Sequence, residues 1–257
     1  MKGYAGKVAF VDLTSRLVTK ESFQEKVYRS LIGGAGLGAK VLYERMKPGV
    51  DPLGPENILG FLSGLLVGTT TPMATKYTVV TKSPLTHTWG EANSGGLLSS
   101  ELKAAGYDGI FFTGTAPKPI YVFVHGGDIE IRDAAHLWGK STGETVEKLT
   151  HDIGDNRVRI ACIGPSGENR SLISSIIADN GRAAARSGVG AVMGSKNLKA
   201  VVVKGTGSIE VSDSGRLNQL RSDALTQLRD VDHLPFINML SGPGTCAGPM
   251  VLVPTGA

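Results

Sequence analysis

The chain opens with two short alternating runs, Lys7 to Leu13 and Leu17 to Phe23, separated by Thr14-Ser15-Arg16. This is the pattern of two strands joined by a turn. Apolar positions then shift to helical spacing. Glu25 to Ile32 predicts one helix, broken at Gly33-Gly34, and a second begins near Leu37 and runs through KVLYERM. Beyond a Pro-rich loop at 51–56, Asn57 to Leu65 and Tyr77 to Thr81 read as buried strands. Leu97 to Ala105 predicts a helix closed by Gly106. GIFFTG, IYVFV and IEIRD follow as three strands, with HGGD at 125–128 as the hairpin turn between the last two. Thr142 to Ile153 is amphipathic and stops at Gly154. Val158 to Ile163, Leu172 to Ala178 and Leu198 to Val203 complete the strands.

The resulting order, β-β-α-α-β-β-α-β-β-β-α-β-β-α-β, does not alternate, which disfavours a doubly wound parallel sheet. It predicts an α+β fold with two sheets or one large curved sheet. The texture changes near residue 210, where SDSGRLNQLRSDALTQLRDV forms a polar amphipathic helix followed by a Gly/Pro loop. Residues 1–210 therefore read as one domain. Residues 211–257 read as the start of a second, incomplete helical domain, too short to bury a core of its own.

Composition sharpens this picture at one point. Glycine supplies 35 of 257 residues, about twice the usual share. It gathers in GGAGLG at 33–38, SGG at 94–96 and GVGAVMG at 188–194. Tight turns in a strand-rich fold explain such clusters, and so does close backbone approach to a large ligand. The last cluster belongs to GRAAARSGVGAVMGSKN, 181–197, where Arg182, Arg186 and Lys196 suggest that the ligand is anionic. Net charge is +4 and the basic residues are dispersed, so a nucleic-acid groove is not expected. No apolar run is long enough for a membrane span. Cys162 and Cys246 are far apart, which excludes a CxxC metal site and suits a reducing cytoplasm.

Familiar phosphate cradles do not fit. Five residues separate Gly188 from Gly194, and Ser195 precedes Lys196, so a Walker A loop fails; three residues between Gly190 and Gly194 break GxGxxG. GGAGLG sits in a helical rather than a strand-to-helix context. The five histidines lack metal-ligand spacing, and Asp108 and Asp133 read as turn or capping residues.

Six segments taken in order carry a resemblance: TKSPLT at 81–86, ANSGG at 92–96, ELKAAGYDGI at 101–110, IEIRDAAHLWGK at 129–140, IGPSGEN at 163–169 and GRAAARSGVGAVMGSKNLKA at 181–200. Together they resemble the N-terminal domain of the tungsten-containing aldehyde ferredoxin oxidoreductase family, over about residues 3–210. The resemblance implies a two-sheet base on which a tungsten (or molybdenum) bis-pyranopterin lies. It implies oxidation of aldehydes to carboxylic acids, with electrons passing through a 4Fe-4S cluster to ferredoxin. Carried over by position, Asn93 and Gly95 would face the pterin, with Arg182, Ala183, Ala185 and Arg186 opposite. Backbone carbonyls of Asn93 and Ala183 would hold a magnesium that bridges the pterin phosphates, a role suited to hard oxygen ligands. Lys76 stands where the family often has arginine, and keeps the charge without the planar fork.

The family's cluster cysteines and its acid–base pair have no counterpart in this sequence. The chain is accordingly expected to work with further domains or a companion subunit, and to be inactive alone. Its cofactor face is expected to be glycine-lined and apolar, and self-association, a homodimer at its simplest, follows from such a face. Two other readings stay open: a pterin-binding scaffold without turnover, and a relative that reduces thioesters.

Overall fold

A computed structural model describes residues 1–179, 181–229, 239–248 and 253. The strands are β1 Val8–Asp12, β2 Leu17–Glu21, β3 Leu59–Ser63, β4 Tyr77–Lys82, β5 Trp89–Ser94, β6 Gly109–Thr113, β7 Ile120–His125, β8 Asp128–Asp133, β9 Arg159–Cys162, β10 Ile176–Ala178, β11 Arg182–Ala184 and β12 Leu198–Lys204. They form two six-stranded sheets, ordered β2-β1-β6-β3-β4-β5 and β11-β10-β9-β12-β7-β8. Each contains one parallel pair, β1 with β6 and β12 with β7, among antiparallel neighbours. The expected α+β architecture is therefore present as two sheets rather than one curved one.

Strand periodicity sorts residues between the two faces of each sheet. Ile110 and Phe112 point into the shared core with Val79 and Val201, whereas Phe111 and Val80 point the other way. That outer face is covered by α2, Gly34–Arg45, through Leu37, Val41 and Leu42, and by Tyr28 of α1, Glu25–Leu31. On the second sheet, Val202 and Ala200 face outward against Leu149 of α4, Thr142–Ile153. Two more helices contribute to the shared core: α3, Leu98–Ala104, through Leu98 and Leu102, and α6, Val189–Ser195, through Val189, Val192 and Met193. A four-residue helix, α5, Pro165–Glu168, packs on α6. Burial on both faces explains why the central strands read as nearly continuous apolar runs.

Buried lysines appear where chain crossings leave carbonyls unpaired. Lys103 Nζ donates to the carbonyls of Gly3, Gly64 and Leu65 at 2.6, 3.1 and 2.9 Å. Asp108, one of the expected turn residues, accepts from the Ala5 and Gly6 amides at 2.9 and 2.7 Å and fastens the N-terminal segment. Asp133 accepts from the Ala135 amide at 3.0 Å.

Contacts divide the chain into two units, Met1–Thr69 with Met73–Ser212, and Thr70–Pro72 with the chain from Asp213 onward. Within the second, α7, Ser214–Arg229, has no buried residue, and Thr70 Oγ1 donates to Asn218 Oδ1 at 3.1 Å. The last two residues read as α7 in the sequence, 230–231, and most of the following Gly/Pro loop lie outside the described residues.

Three local readings are corrected. The second helix starts at Gly34, three residues before Leu37, despite three glycines in its first five positions. Packing overrides propensity there, because a Cβ on Gly38 would lie 2.9 Å from Val80. The strand read at 172–178 is only Ile176–Ala178. Two strands were not legible at all, β5 and β11, and both lie at the candidate site.

Candidate cofactor site at two sheet edges

Strand β5 ends the first sheet and β11 ends the second. Each therefore has one row of backbone groups without a strand partner. The two edges are joined by Ser187, just after β11. Its hydroxyl accepts from the Glu91 N–H at 3.2 Å and donates to the Glu91 carbonyl at 3.2 Å. This fixes the orientation of β5. In an antiparallel ladder a residue exchanges both backbone bonds with its partner or turns both away. Glu91 turns both away from β4, and Asn93, two residues on, does the same. The Asn93 carbonyl thus points off the sheet edge.

Between the edges lies a cavity of about 490 Å³ lined by Glu91, Asn93, Ala183, Ala185 and Arg186. The Asn93 side chain is already committed: Thr78 Oγ1 donates to its Oδ1 at 2.7 Å, and its Nδ2 donates to Glu91 Oε1 at 2.8 Å. What Asn93 can offer a ligand is its main-chain carbonyl. Arg186 is exposed and has no ion pair among the described residues. Ala183 and Ala185 present only methyl groups, so backbone remains accessible beside them. The lining is small and polar instead of the expected apolar face. Exposed apolar side chains include Tyr43 and Trp89 around α2, and Leu97 at the neighbouring cavity.

The cavity's neighbours extend the site along one face. β4 pairs with β5 through Tyr77↔Ser94 and Thr78↔Asn93. Continuing that register sets exposed Lys76 across from Gly95, so Lys76 and Thr78 share a face with Asn93 and Gly95. A Cβ on Gly95 would meet nothing within 4 Å. The start of α2 reaches the same face, since a Cβ on Gly34 would lie 3.9 Å from Thr78 Oγ1. The helix's first amides, uncapped by any side chain, carry its positive end.

Arg182 is placed differently from its neighbours in sequence. It lines an adjacent cavity of about 460 Å³ with Arg159, Leu97 and Asp179. Asp179 Oδ2 in turn accepts from the Leu97 and Leu98 amides at 2.6 and 2.9 Å, tying the turn after β10 to the start of α3.

The rest of the glycine run does not cradle a ligand. Every residue of α6 is buried. A Cβ on Gly194 would stand 1.9 Å from the Gly167 carbonyl, so this glycine exists to let α5 and α6 touch. Lys196 is fully buried and turned to the carbonyls of Pro55 and Gly114 at 3.4 and 3.3 Å. Burial lowers its pKa to about 8. Of the run, Ala183, Ala185 and Arg186 line one cavity and Arg182 lines the other.

Sequence reading missed Glu91, Ser187 and Thr78. The one signal available was the alternation of small buried residues, Gly90, Ala92 and Ser94, with larger exposed or half-exposed ones in WGEANS. No group of three His, Cys, Asp or Glu placed to hold a metal occurs among the described residues. Cys162 is buried, which pushes its thiol up to about 12. No helix among them is long and apolar enough to cross a membrane.

The fold is thus an α+β base of two sheets whose edge strands meet over a polar cavity. The family described as aldehyde ferredoxin oxidoreductase, N-terminal domain, matches residues 8–205, and the chain belongs to it. It is 44% identical over 229 residues to a tungsten-containing aldehyde ferredoxin oxidoreductase of Pyrococcus abyssi (strain GE5 / Orsay), covering 89% of this chain and 38% of the relative. It is 39% identical over 242 residues to a protein of Pyrococcus furiosus named aliphatic sulfonate oxidoreductase, WOR-like subunit, covering 86% and 38%. Among solved structures, a chain of the active site complex BamBC of benzoyl coenzyme A reductase with 1,5-dienoyl-CoA superimposes with a TM-score of 0.88 at 38% identity, covering 90% of this chain and 35% of that one. The chain thus spans about 38% of the length of the curated relatives it matches.

Proposed function

We propose that residues 1–210 form the base that holds a tungsten (or molybdenum) bis-pyranopterin in an oxidoreductase, with 211–257 beginning a helical domain. The observation that carries this reading is the cavity between the β5 and β11 edges. Its residues fit a flat, doubly phosphorylated group. The outward carbonyl of Asn93 and the main chain at Ala183 supply oxygens for a magnesium between two phosphates. Arg186 offsets phosphate charge, with Arg182 beside it on the adjacent cavity. Ala185 and Gly95 keep the approach open, and Lys76 reaches toward the cofactor edge. When bound, such a cofactor supplies two-electron redox chemistry, and the residues of this chain hold, orient and neutralise it.

Aldehyde oxidation to a carboxylic acid, with electrons leaving through a 4Fe-4S cluster to ferredoxin, is the favoured reaction. The names of the tungsten-containing relatives support it. The match to a benzoyl-coenzyme A reductase subunit keeps a coenzyme A thioester as the second substrate class. The cluster ligands and the acid–base pair belong to further domains or a companion subunit. Anaerobic purification of the complete protein, with tungsten, molybdenum, iron and pterin assayed on one sample, tests the cofactor. Dye reduction with aldehydes, and the corresponding assay with aryl thioesters, separates the substrates. A complete protein without pterin would overturn the reading.

A further inference from the structure

The cavity of about 460 Å³ opens where the start of β9, the turn after β10, the start of β11 and the approach to α3 meet, with Val146 and Thr150 of α4 on one side. Strand register brings its two arginines together. Ala161, Ala178 and Arg182 lie opposite one another across β9, β10 and β11, and Arg159 is two residues from Ala161 on the same face. Two strand spacings and two residues set their Cα atoms about 12 Å apart, a gap that two arginine side chains can close from either side. The same face carries the core residues Ala161, Ala178 and Ala184, so both cations stand at the margin of the core. Neither has an ion pair among the described residues, and Arg159 Nε is buried without a hydrogen-bond partner. A buried donor left unpaired is costly. Asp179 shares the cavity, but its Oδ2 is committed to the Leu97 and Leu98 amides. Leu97, Val146, Val158 and Ile160 supply apolar walls.

We propose that this cavity binds a small organic carboxylate, with Arg159 and Arg182 on its oxygens and the apolar walls on its hydrocarbon body. Charge selects the carboxylate. Two guanidinium groups and one carboxylate leave the lining with a single positive charge, which one bound carboxylate neutralises. A phosphate dianion would exceed that charge and face Asp179. The planar guanidinium fork matches the two oxygens of a carboxylate, and turning toward such a ligand gives Arg159 Nε the acceptor it lacks. The volume suits a small molecule with most of its surface covered. The cofactor cavity is lined without either arginine, so this site does not depend on the cofactor reading.

Titration calorimetry on the full chain, with benzoate, formate and inorganic phosphate as separate probes, tests the site. Benzoate is expected to bind wild type once per chain, about tenfold or more tightly than formate or phosphate. Arg159→Gln should lose about tenfold or more in benzoate affinity. Arg159→Lys keeps the charge without the fork, so it should fall between the two, and it serves if the first variant fails to fold. Arg186→Gln, in the cofactor cavity, should bind benzoate as wild type does. Absence of benzoate binding, equal affinity in wild type and the Arg159 variants, or loss of binding in Arg186→Gln overturns the proposal. Phosphate binding more tightly than benzoate overturns the choice of carboxylate, and formate binding as tightly as benzoate overturns the role of the apolar walls.

Discussion

The hydroxyl of Ser187 bridges both backbone groups of Glu91, at 3.2 Å each, and thereby joins the edges of two separate sheets. Ser187 does so in the left-handed region, φ 60°. Ser187→Ala removes both bonds and retains the backbone strain, and is expected to cost about 1–2 kcal/mol. Ser187→Gly also loses the bonds but relieves the strain, so it should be the milder change. Thermal unfolding of the two variants side by side checks the order. Wild-type stability in both variants would mean that the bridge does not hold the edges.

Two glycines in the same region should respond oppositely to one methyl group. Gly194→Ala drives a Cβ into the Gly167 carbonyl and is expected to cost about 3 kcal/mol or more. Gly95→Ala enters open space and should leave the unfolding temperature within error. In the complete protein it should instead lower pterin content, which metal and pterin analysis would show. Full pterin content in Gly95→Ala would remove this residue from the site.

Ala183 is exposed in the cavity lining, so Ala183→Leu should fold normally and fill the space the cofactor needs. Loss of tungsten from the complete protein, with an unchanged circular dichroism spectrum, is the expected result. Lys76→Ala, also at an exposed position, should retain tungsten but slow electron transfer to ferredoxin. Wild-type transfer rates would place the lysine away from the electron path.

The buried Lys196 makes stability depend on pH in a definite direction. Burial lowers its folded pKa to about 8, below the 10.5 of a free lysine. Between these values the unfolded chain binds more protons, so stability rises with pH. The penalty for burying the charge is fully present below pH 8 and is relieved by 10.5. Denaturant unfolding of wild type against Lys196→Met should show a steeper rise in wild type, because Lys103, whose pKa burial also lowers to about 8, contributes its own rise to both proteins. Parallel curves for the two proteins would rule it out.

What the sequence determines by itself is the layered framework. Short continuous apolar runs rich in β-branched and aromatic residues, such as GIFFT and LKAVVVK, read as strands buried on both faces, and amphipathic TGETVEKLTHDI reads as a helix with one face against the core. The capping box at Ser141 and Glu144 and the hairpin turn at 125–128 are equally local, because neighbouring residues satisfy each other's backbone groups. The resemblance of six segments to one family adds an address for the proposed site, Asn93, Gly95 and 182–186, without its geometry. Tertiary structure decides the rest. WGEANS and RAA lack apolar bulk, so no periodicity marks them as strands, and each becomes one only by pairing with a neighbour already in a sheet. Which glycines face a ligand and which face protein depends on distance across the fold: Gly95 looks into open space, while Gly194 touches the Gly167 carbonyl. Glu91 enters the site for the same reason, since only the meeting of two sheet edges brings it to Ala183 and Arg186, more than ninety residues away.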